Sequence, residues 1–193
     1  MKKLILFSSM ALAILSACKK EEKQNVEEAI VSGIKTISVP FNPTQPFTLF
    51  RFSDSSVVAN SDSASNKWDF GMRFTDIIVN KAFRGPGEAG VILQDGLYDE
   101  ITSAPATGYA FDTSATQKAI KSFNTWATYS TPTFIPKAGK VFIFRTADGN
   151  HYAKMEFLEI TSNGNFTVSP PIYPTSLYYK IKFTYQPNES LNF

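Results

Sequence analysis

The clearest pattern of apolar and polar positions spans residues 140 to 160 and predicts a β-hairpin. Asp148-Gly149 is the expected two-residue turn, because a type I′ turn requires positive φ at both central residues and this pair tolerates it. The turn fixes the register of the two strands. On one face, the register pairs Phe144 with Ala153, Phe142 with Met155, and Thr146 with His151.

The two faces of this hairpin differ in character. The face with Phe142 and Phe144 is apolar. The opposite face carries Arg145, Lys154 and Glu156, so we expect it to be at least partly exposed to solvent. A lone hairpin does not bury its own apolar face. Other strands must therefore cover it, either completely or around a pocket.

Further short apolar runs alternate with turn-forming residues, which is typical of an all-β domain. The runs lie at residues 34–41, 47–52, 68–79 and 91–93, and the last strand is predicted at 179–185. Within 68–74, alternation predicts that one face carries Trp68, Phe70, Met72 and Phe74. We expect these strands to form mostly antiparallel sheets.

One short helix is also predicted, with Asp112 or Thr113 as its N-cap. The segment 131–136 cannot continue that helix, because it contains two prolines. The apolar stripe of the helix is expected to pack on a sheet. This stripe consists of Ala115, Ala119, Ile120, Phe123, Trp126 and Ala127.

The first 18 residues have the pattern of a lipoprotein signal peptide. Two lysines precede a short apolar run, which ends in small residues just before Cys18, the predicted lipidation site. The alternative is a plain secretory signal with a chance cysteine. Residues 19–29 are charged and predict a flexible tether, and residues 30–193 predict a single domain.

Cysteine content and charge exclude several classes of function. Cys18 is the sole cysteine, so the rest of the chain has no disulfide, thiol nucleophile or cysteine-bound metal. Of the 19 basic residues, Lys2 and Lys3 lie in the signal, so the remaining 17 balance the 17 acidic residues. Nothing in this balance indicates nucleic-acid binding.

Catalytic patterns are almost absent, and we expect a protein that is not an enzyme. His151 is the only histidine, which excludes a multi-histidine zinc site, and no G-x-S-x-G motif occurs. Two carboxylate pairs, Asp69 with Asp76 and Asp99 with Glu100, are formal candidates for a surface hydrolase, but exposed acids are commoner. The loop at 53–66 lacks the ligand pattern of a calcium site.

The chain is rich in aromatic residues. Its 17 Phe, 8 Tyr and 2 Trp suit either a hydrophobic core or a groove for a flat apolar ligand.

The order of several motifs resembles the HmuY-like haem-binding lipoproteins of Bacteroidetes over most of the domain, roughly residues 30 to 185. A Phe-Arg-Phe-Ser-Asp segment at 50–54 is followed by a Ser/Asn-rich loop and by Trp-Asp-Phe at 68–70, which closes at Asn80. The predicted helix with Trp126 comes next. The remaining motifs are 136–149, 152–157 and 179–185.

This resemblance implies a mostly β surface lipoprotein, anchored in the outer membrane. It also implies that the protein binds haem and passes it to a TonB-dependent outer-membrane receptor. In the founding member two histidines hold the iron, and relatives use methionines or other ligands. This chain departs from the pattern, because the segment 93–140 contains neither histidine nor methionine.

Imidazole, thioether and phenolate groups all ligate haem iron, and each candidate here also has a structural explanation. The methionines lie on predicted core faces, and the histidine lies just past the turn. Pentacoordinate binding, or apolar binding with Lys or Arg on the propionates, is a further possibility. The candidates are Met72, His151, Met155, Tyr98, Tyr109 and Tyr129.

A different binding function is the main alternative. The same fold can recognise a glycan, a peptide or a partner protein through exposed aromatic residues. Haem binding predicts an apolar slot near the hairpin or the helix, flanked by at least one His, Met or Tyr, whereas the alternative predicts a flat aromatic patch and no slot.

Overall fold

The computed structural model describes residues 28–130, 133–164, 167–168 and 171–193, and in them the chain is almost entirely β. The predicted all-β fold class is confirmed. The signal peptide, Cys18 and the tether up to residue 27 lie outside the described residues. The strands are β1 (Val31–Pro40), β2 (Thr48–Arg51), β3 (Ser56–Val58), β4 (Phe70–Arg73), β5 (Asp76–Val79), β6 (Gly90–Asp95), β7 (Ala127–Ser130), β8 (Thr133–Pro136), β9 (Lys140–Arg145), β10 (Tyr152–Ser162), β11 (Thr167–Val168), β12 (Pro171–Ile172) and β13 (Ser176–Gln186).

The larger sheet has the strand order β1-β13-β10-β9-β6, and all its pairs are antiparallel. Its centre contains the predicted hairpin as β9 and β10. The predicted register is confirmed, since Phe144 lies opposite Ala153 and Phe142 opposite Met155. Thr146 N also donates to His151 O over 3.0 Å.

The turn of this hairpin differs from the predicted type I′. Of the two central residues only Gly149 has positive φ, at 82°, and Gly149 N donates to Thr146 O. The Asp148 carboxylate accepts hydrogen bonds from Asn150 N and from the Thr146 hydroxyl. These local bonds stabilise a turn in which aspartate keeps an ordinary backbone conformation.

A second sheet, ordered β3-β2-β4-β5, packs its inner face against the first. Aromatic rings from both sheets meet in the core. Phe144 of the hairpin lies with its ring centroid 5.1 Å from Phe52 and 5.2 Å from Phe70. In this region the apolar face of the hairpin is therefore completely covered.

Trp68 lies on the other face of the second sheet, so its predicted alignment with Phe70 and Met72 is wrong. Strand β4 begins only at Phe70, and the backbone bends at Asp69. Trp68 therefore packs with Leu49 and Ile78, and its indole N–H donates to Ser63 O over 3.0 Å.

The helix expected to start at Asp112 or Thr113 is reduced to one 3₁₀ turn at Phe123–Thr125. The Asp112 side chain is fully buried, where it accepts hydrogen bonds from Ala119 N and from Arg84 Nε. Those bonds hold residues 112–119 in an irregular loop. Ile120 and Trp126 of the predicted stripe still reach the core.

The outer face of the larger sheet is covered by two loop segments. Tyr98 and Ile101 from one segment, and Leu191 and Phe193 from the other, pack on Ile143 and its neighbours. Among the described residues, no helix has the length and apolar character needed to cross a membrane.

Candidate functional site

The two methionine candidates lie in the core between the sheets. Met72 on β4 and Met155 on β10 are both fully buried. Their thioethers are surrounded by packed apolar side chains, as is usual for core methionines. Either one would have to leave the core to reach a ligand at the surface.

His151 lies at the hairpin turn, where its Nδ1 is 2.7 Å from Asp148 Oδ2. Its ring centroid is 6.0 Å from that of Tyr185. The imidazole is therefore held by the turn itself, at the opposite end of β10 from Ser162.

Tyr98 and Tyr109 lie on the outer face of the larger sheet. The Tyr98 hydroxyl donates to Thr184 Oγ1 over 2.9 Å, and burial raises the pKa of Tyr98. The Tyr109 hydroxyl is buried with no partner among the described residues, and burial likewise raises the pKa of Tyr109. Burial thus disfavours the phenolate form that iron would require at both positions.

Tyr129, the sixth candidate, lies on the small hairpin of β7 and β8. Its side chain is largely exposed, and its ring packs against Phe134 with centroids 4.8 Å apart. Among the six candidates, it is the one joined by ring contacts to a surface groove.

That groove lies where β1 ends and β13 begins, and it encloses about 790 Å³. Its most prominent feature is a pair of stacked rings, Phe41 and Tyr173, with centroids 5.7 Å apart and planes inclined by 17°. Tyr173 is 62% exposed. Apolar walls come from Pro40, Pro43 and Pro174, and polar groups from Asn42, Gln45 and Thr48.

A series of aromatic rings connects the groove to the β7–β8 hairpin. Phe41 meets Phe74 edge to face at 4.8 Å, and Phe74 meets Phe134 at 5.8 Å. Phe134 then contacts Tyr129, as described above. Tyr173 and Tyr129 therefore stand at the two ends of one aromatic series.

Phe74 is fixed at the centre of this series. It has a left-handed backbone conformation, with φ of 49°, which is uncommon for a bulky residue. Its N–H donates to Pro40 O over 2.8 Å, and its carbonyl accepts from the Tyr179 hydroxyl over 2.6 Å. Strained conformations of this kind persist where surrounding contacts enforce them, often at binding sites.

Charge reaches the groove only at its rim. None of the residues that line it is charged. Arg73 lies behind the rim, where its guanidinium stacks 4.1 Å above the Phe47 ring and donates from Nη1 to the Gln45 carbonyl.

Three of the four acidic residues considered for catalysis, Asp69, Asp76 and Asp99, are engaged in structural contacts. Asp69 accepts hydrogen bonds from Phe52 N and Ala147 N, each 2.8 Å long, and burial raises the pKa of Asp69 to about 6. Asp76 pairs with Lys118, and Asp99 pairs with Lys182. The described residues contain no cluster of three or more His, Cys, Asp or Glu that could hold a metal ion.

Tyr173 is the groove residue that sequence reasoning missed. It lies in a short irregular connection rather than in an alternating strand, so no periodicity indicates its position. The one available signal was the neighbouring sequence, Pro-Pro-Ile-Tyr-Pro. Prolines on both sides make it unfavourable for this tyrosine to be buried in a central strand.

Comparison with known proteins does not identify a family. No protein-family model matches the chain, and no curated protein matches it. One similar solved structure is that of apo PinO from Porphyromonas gingivalis, with 12% sequence identity and a TM-score of 0.48. The match covers 82% of this chain and 100% of that chain. At that similarity it does not assign a function, and the resemblance to HmuY-like proteins stays a prediction.

Proposed function

We propose that this chain is a lipid-anchored, non-enzymatic protein of the outer membrane surface that binds a flat apolar ligand in the groove. The first-choice ligand is haem or a related porphyrin. The proposed recipient of that ligand is a TonB-dependent outer-membrane receptor. The observation that carries the ligand proposal is the stacked pair of Phe41 and Tyr173 in an uncharged groove.

The shape and chemistry of the groove fit such a ligand. Small-molecule sites are typically concave, mostly apolar, and a few hundred to about a thousand Å³ in volume. A groove of about 790 Å³ falls in that range. Aromatic rings favour contact with a flat π system such as a porphyrin, and Phe41 is the ring assigned to that contact, because a phenol that ligates iron cannot also lie flat on the porphyrin.

Tyr173 is the proposed iron ligand, and Tyr129 is the second candidate. Tyrosine is an established axial ligand of haem iron. Tyr173 is well exposed, so its phenol is accessible without disturbing the core. By contrast, iron ligation by Met72 or Met155 would require opening the packed layer between the sheets.

Arg73 is the proposed partner of a propionate. It already bonds the carbonyl of Gln45, which lines the groove. A guanidinium carries several N–H donors in one plane, so it can keep this bond and still bind a carboxylate.

A partner protein or peptide is the second candidate, and one observation favours it. Five exposed apolar side chains lie on the elements around the groove and the β7–β8 hairpin: Tyr129, Ile135, Leu158, Ile172 and Tyr173. Clusters of this kind mark interaction surfaces. They also suit the docking of the proposed receptor.

An absorbance titration tests the ligand. A soluble fragment, residues 25–193, is titrated with haemin and, separately, with iron-free protoporphyrin IX. We expect a saturable 1:1 shift of the Soret band with haemin and weaker binding of the iron-free ring, since it lacks the bond to Tyr173. Haemin spectra that match those of an unrelated control protein would exclude the proposal.

A further inference from the structure

A second pocket lies on the outer face of the four-stranded sheet, on the other side of the 42–47 loop from the groove. It encloses about 430 Å³. Phe47, Phe83 and Trp68 supply aromatic walls, and Arg84, Asn60 and Ser63 supply polar groups. We call it the Phe83 pocket.

The backbone holds Phe83 rigidly in an exposed position. Ala82, just before it, has φ of 51°, a strained conformation for alanine. Gly85, just after Arg84, approaches Asn80 so closely that a Cβ would lie 2.1 Å from Asn80 Oδ1. Gly87 N donates to the same oxygen. The Phe83 ring is 54% exposed on this constrained loop, so it is accessible to a ligand in the pocket.

Arg84 is positioned in the pocket by both charge and stacking. Its Nε donates to Asp112 Oδ2 over 2.9 Å, and Asp112 is fully buried. Its guanidinium carbon lies 4.9 Å from the Phe83 ring centroid and 5.5 Å from that of Phe47. The two Nη groups make no hydrogen bond within the described part of the chain, so they remain available as donors.

The charge at this position selects the type of ligand. Because Asp112 neutralises Arg84, the pocket offers oriented N–H donors without a net charge from this pair. Asn60 and Ser63 are exposed and add an amide and a hydroxyl that donate or accept. Such a site favours a neutral molecule with both an apolar face and several hydroxyl groups.

We propose that the Phe83 pocket binds a neutral saccharide. The weakly positive C–H face of a sugar ring packs on the exposed ring of Phe83, whose face carries negative charge density. The ring hydroxyls bond with Arg84, Asn60 and Ser63. This pocket is separate from the groove, so the proposal does not depend on whether the groove binds haem.

Saturation-transfer NMR and fluorescence of the full chain, purified in detergent, test this site. The probes are neutral oligosaccharides (maltohexaose, cellohexaose, xylohexaose and mannohexaose), with a galacturonic acid oligomer as the acidic comparison. We expect at least one neutral probe to bind and to alter the emission of Trp68, which lines the pocket. Phe83→Ala is expected to weaken that binding about tenfold.

Three variants serve as controls and as a second test. Leu97→Ala removes another exposed apolar side chain far from the pocket in sequence and should leave affinity unchanged. Tyr173→Ala alters only the groove and should also leave it unchanged. Asn60→Ala should weaken saccharide binding without altering the loop that holds Phe83. The proposal is overturned if no neutral probe binds, if only the acidic oligomer binds, or if Phe83→Ala and Asn60→Ala both bind as tightly as the wild type.

Discussion

The hydroxyl of Tyr179 on β13 donates a 2.6 Å hydrogen bond to the carbonyl oxygen of Phe74, in the turn between β4 and β5. This bond joins the two sheets beneath the groove. Phe74 in turn contacts Phe41, one of the two stacked rings. The shape of the proposed ligand site therefore depends on a partly buried hydrogen bond outside it.

Tyr179→Phe removes that bond and leaves the Phe74 carbonyl without its partner. We expect the free energy of unfolding to fall by about 1 to 2 kcal/mol, because the carbonyl loses a partly buried hydrogen bond. Haemin affinity should fall too, because the strained Phe74 is less well fixed. Urea unfolding and the haemin titration measure both effects.

Tyr178→Phe is the matched control, because Tyr178 is the neighbouring residue on β13 and points to the opposite face. If the Tyr178 and Tyr179 variants have equal stability and equal haemin affinity, the Tyr179 hydroxyl does not support the groove.

Asp69 should make the protein less stable as the pH rises, which is the opposite of the usual effect of a carboxylate in a folded protein. Burial raises its pKa from 3.8 to about 6, so the folded state favours the protonated form. The protonated Asp69 therefore stabilises the folded state fully below pH 3.8, and this stabilisation is lost as the pH rises through about 6. The loss is on the order of 3 kcal/mol, as expected for a shift of about two pKa units.

Urea unfolding of the wild type and of Asp69→Asn across this pH range measures the effect. The difference in unfolding free energy between the two proteins should decrease from pH 4 to pH 7, because asparagine does not titrate. Asp95→Asn, at an exposed position of β6, provides the comparison. A difference that stays constant with pH would show that Asp69 does not have a raised pKa.

The core position of the methionines predicts that they are not iron ligands. Met72→Leu and Met155→Leu conserve volume in a packed core, so each should cost less than about 1.5 kcal/mol of stability. The spectrum of the haemin complex should not change. A lost or shifted Soret band in either variant, with stability retained, would place that methionine on the iron.

The longer strands were predictable because alternation over six or more residues specifies a face directly. The register of the β9–β10 hairpin, with Phe142 opposite Met155, was predictable because a short turn fixes the pairing. The prediction failed where a single side chain altered the backbone. Asp112 bonds Ala119 N and Arg84, so a segment with helical periodicity forms a loop instead.

The candidate site was less predictable than the fold, because its residues are distant in sequence. Phe41 and Tyr173 meet only after β1 pairs with β13. The aromatic composition suited a hydrophobic core as well as a groove, and no local pattern selects these two rings from 17 Phe and 8 Tyr. Tyr129 could be named as a candidate from the sequence because tyrosine is one of the few residue types that ligate haem iron.

The most direct test of the proposed function is a haemin titration of three variants of residues 25–193: Tyr173→Ala, Tyr173→Phe and Tyr178→Ala. We predict that Tyr173→Ala weakens binding about tenfold or more, since it removes both the stacked ring and the phenol. Tyr173→Phe should retain part of the affinity but lose the spectrum of a tyrosine-ligated iron. Tyr178→Ala should behave as the wild type. If both Tyr173 variants bind haemin with wild-type affinity and spectrum, the groove is not the haem site.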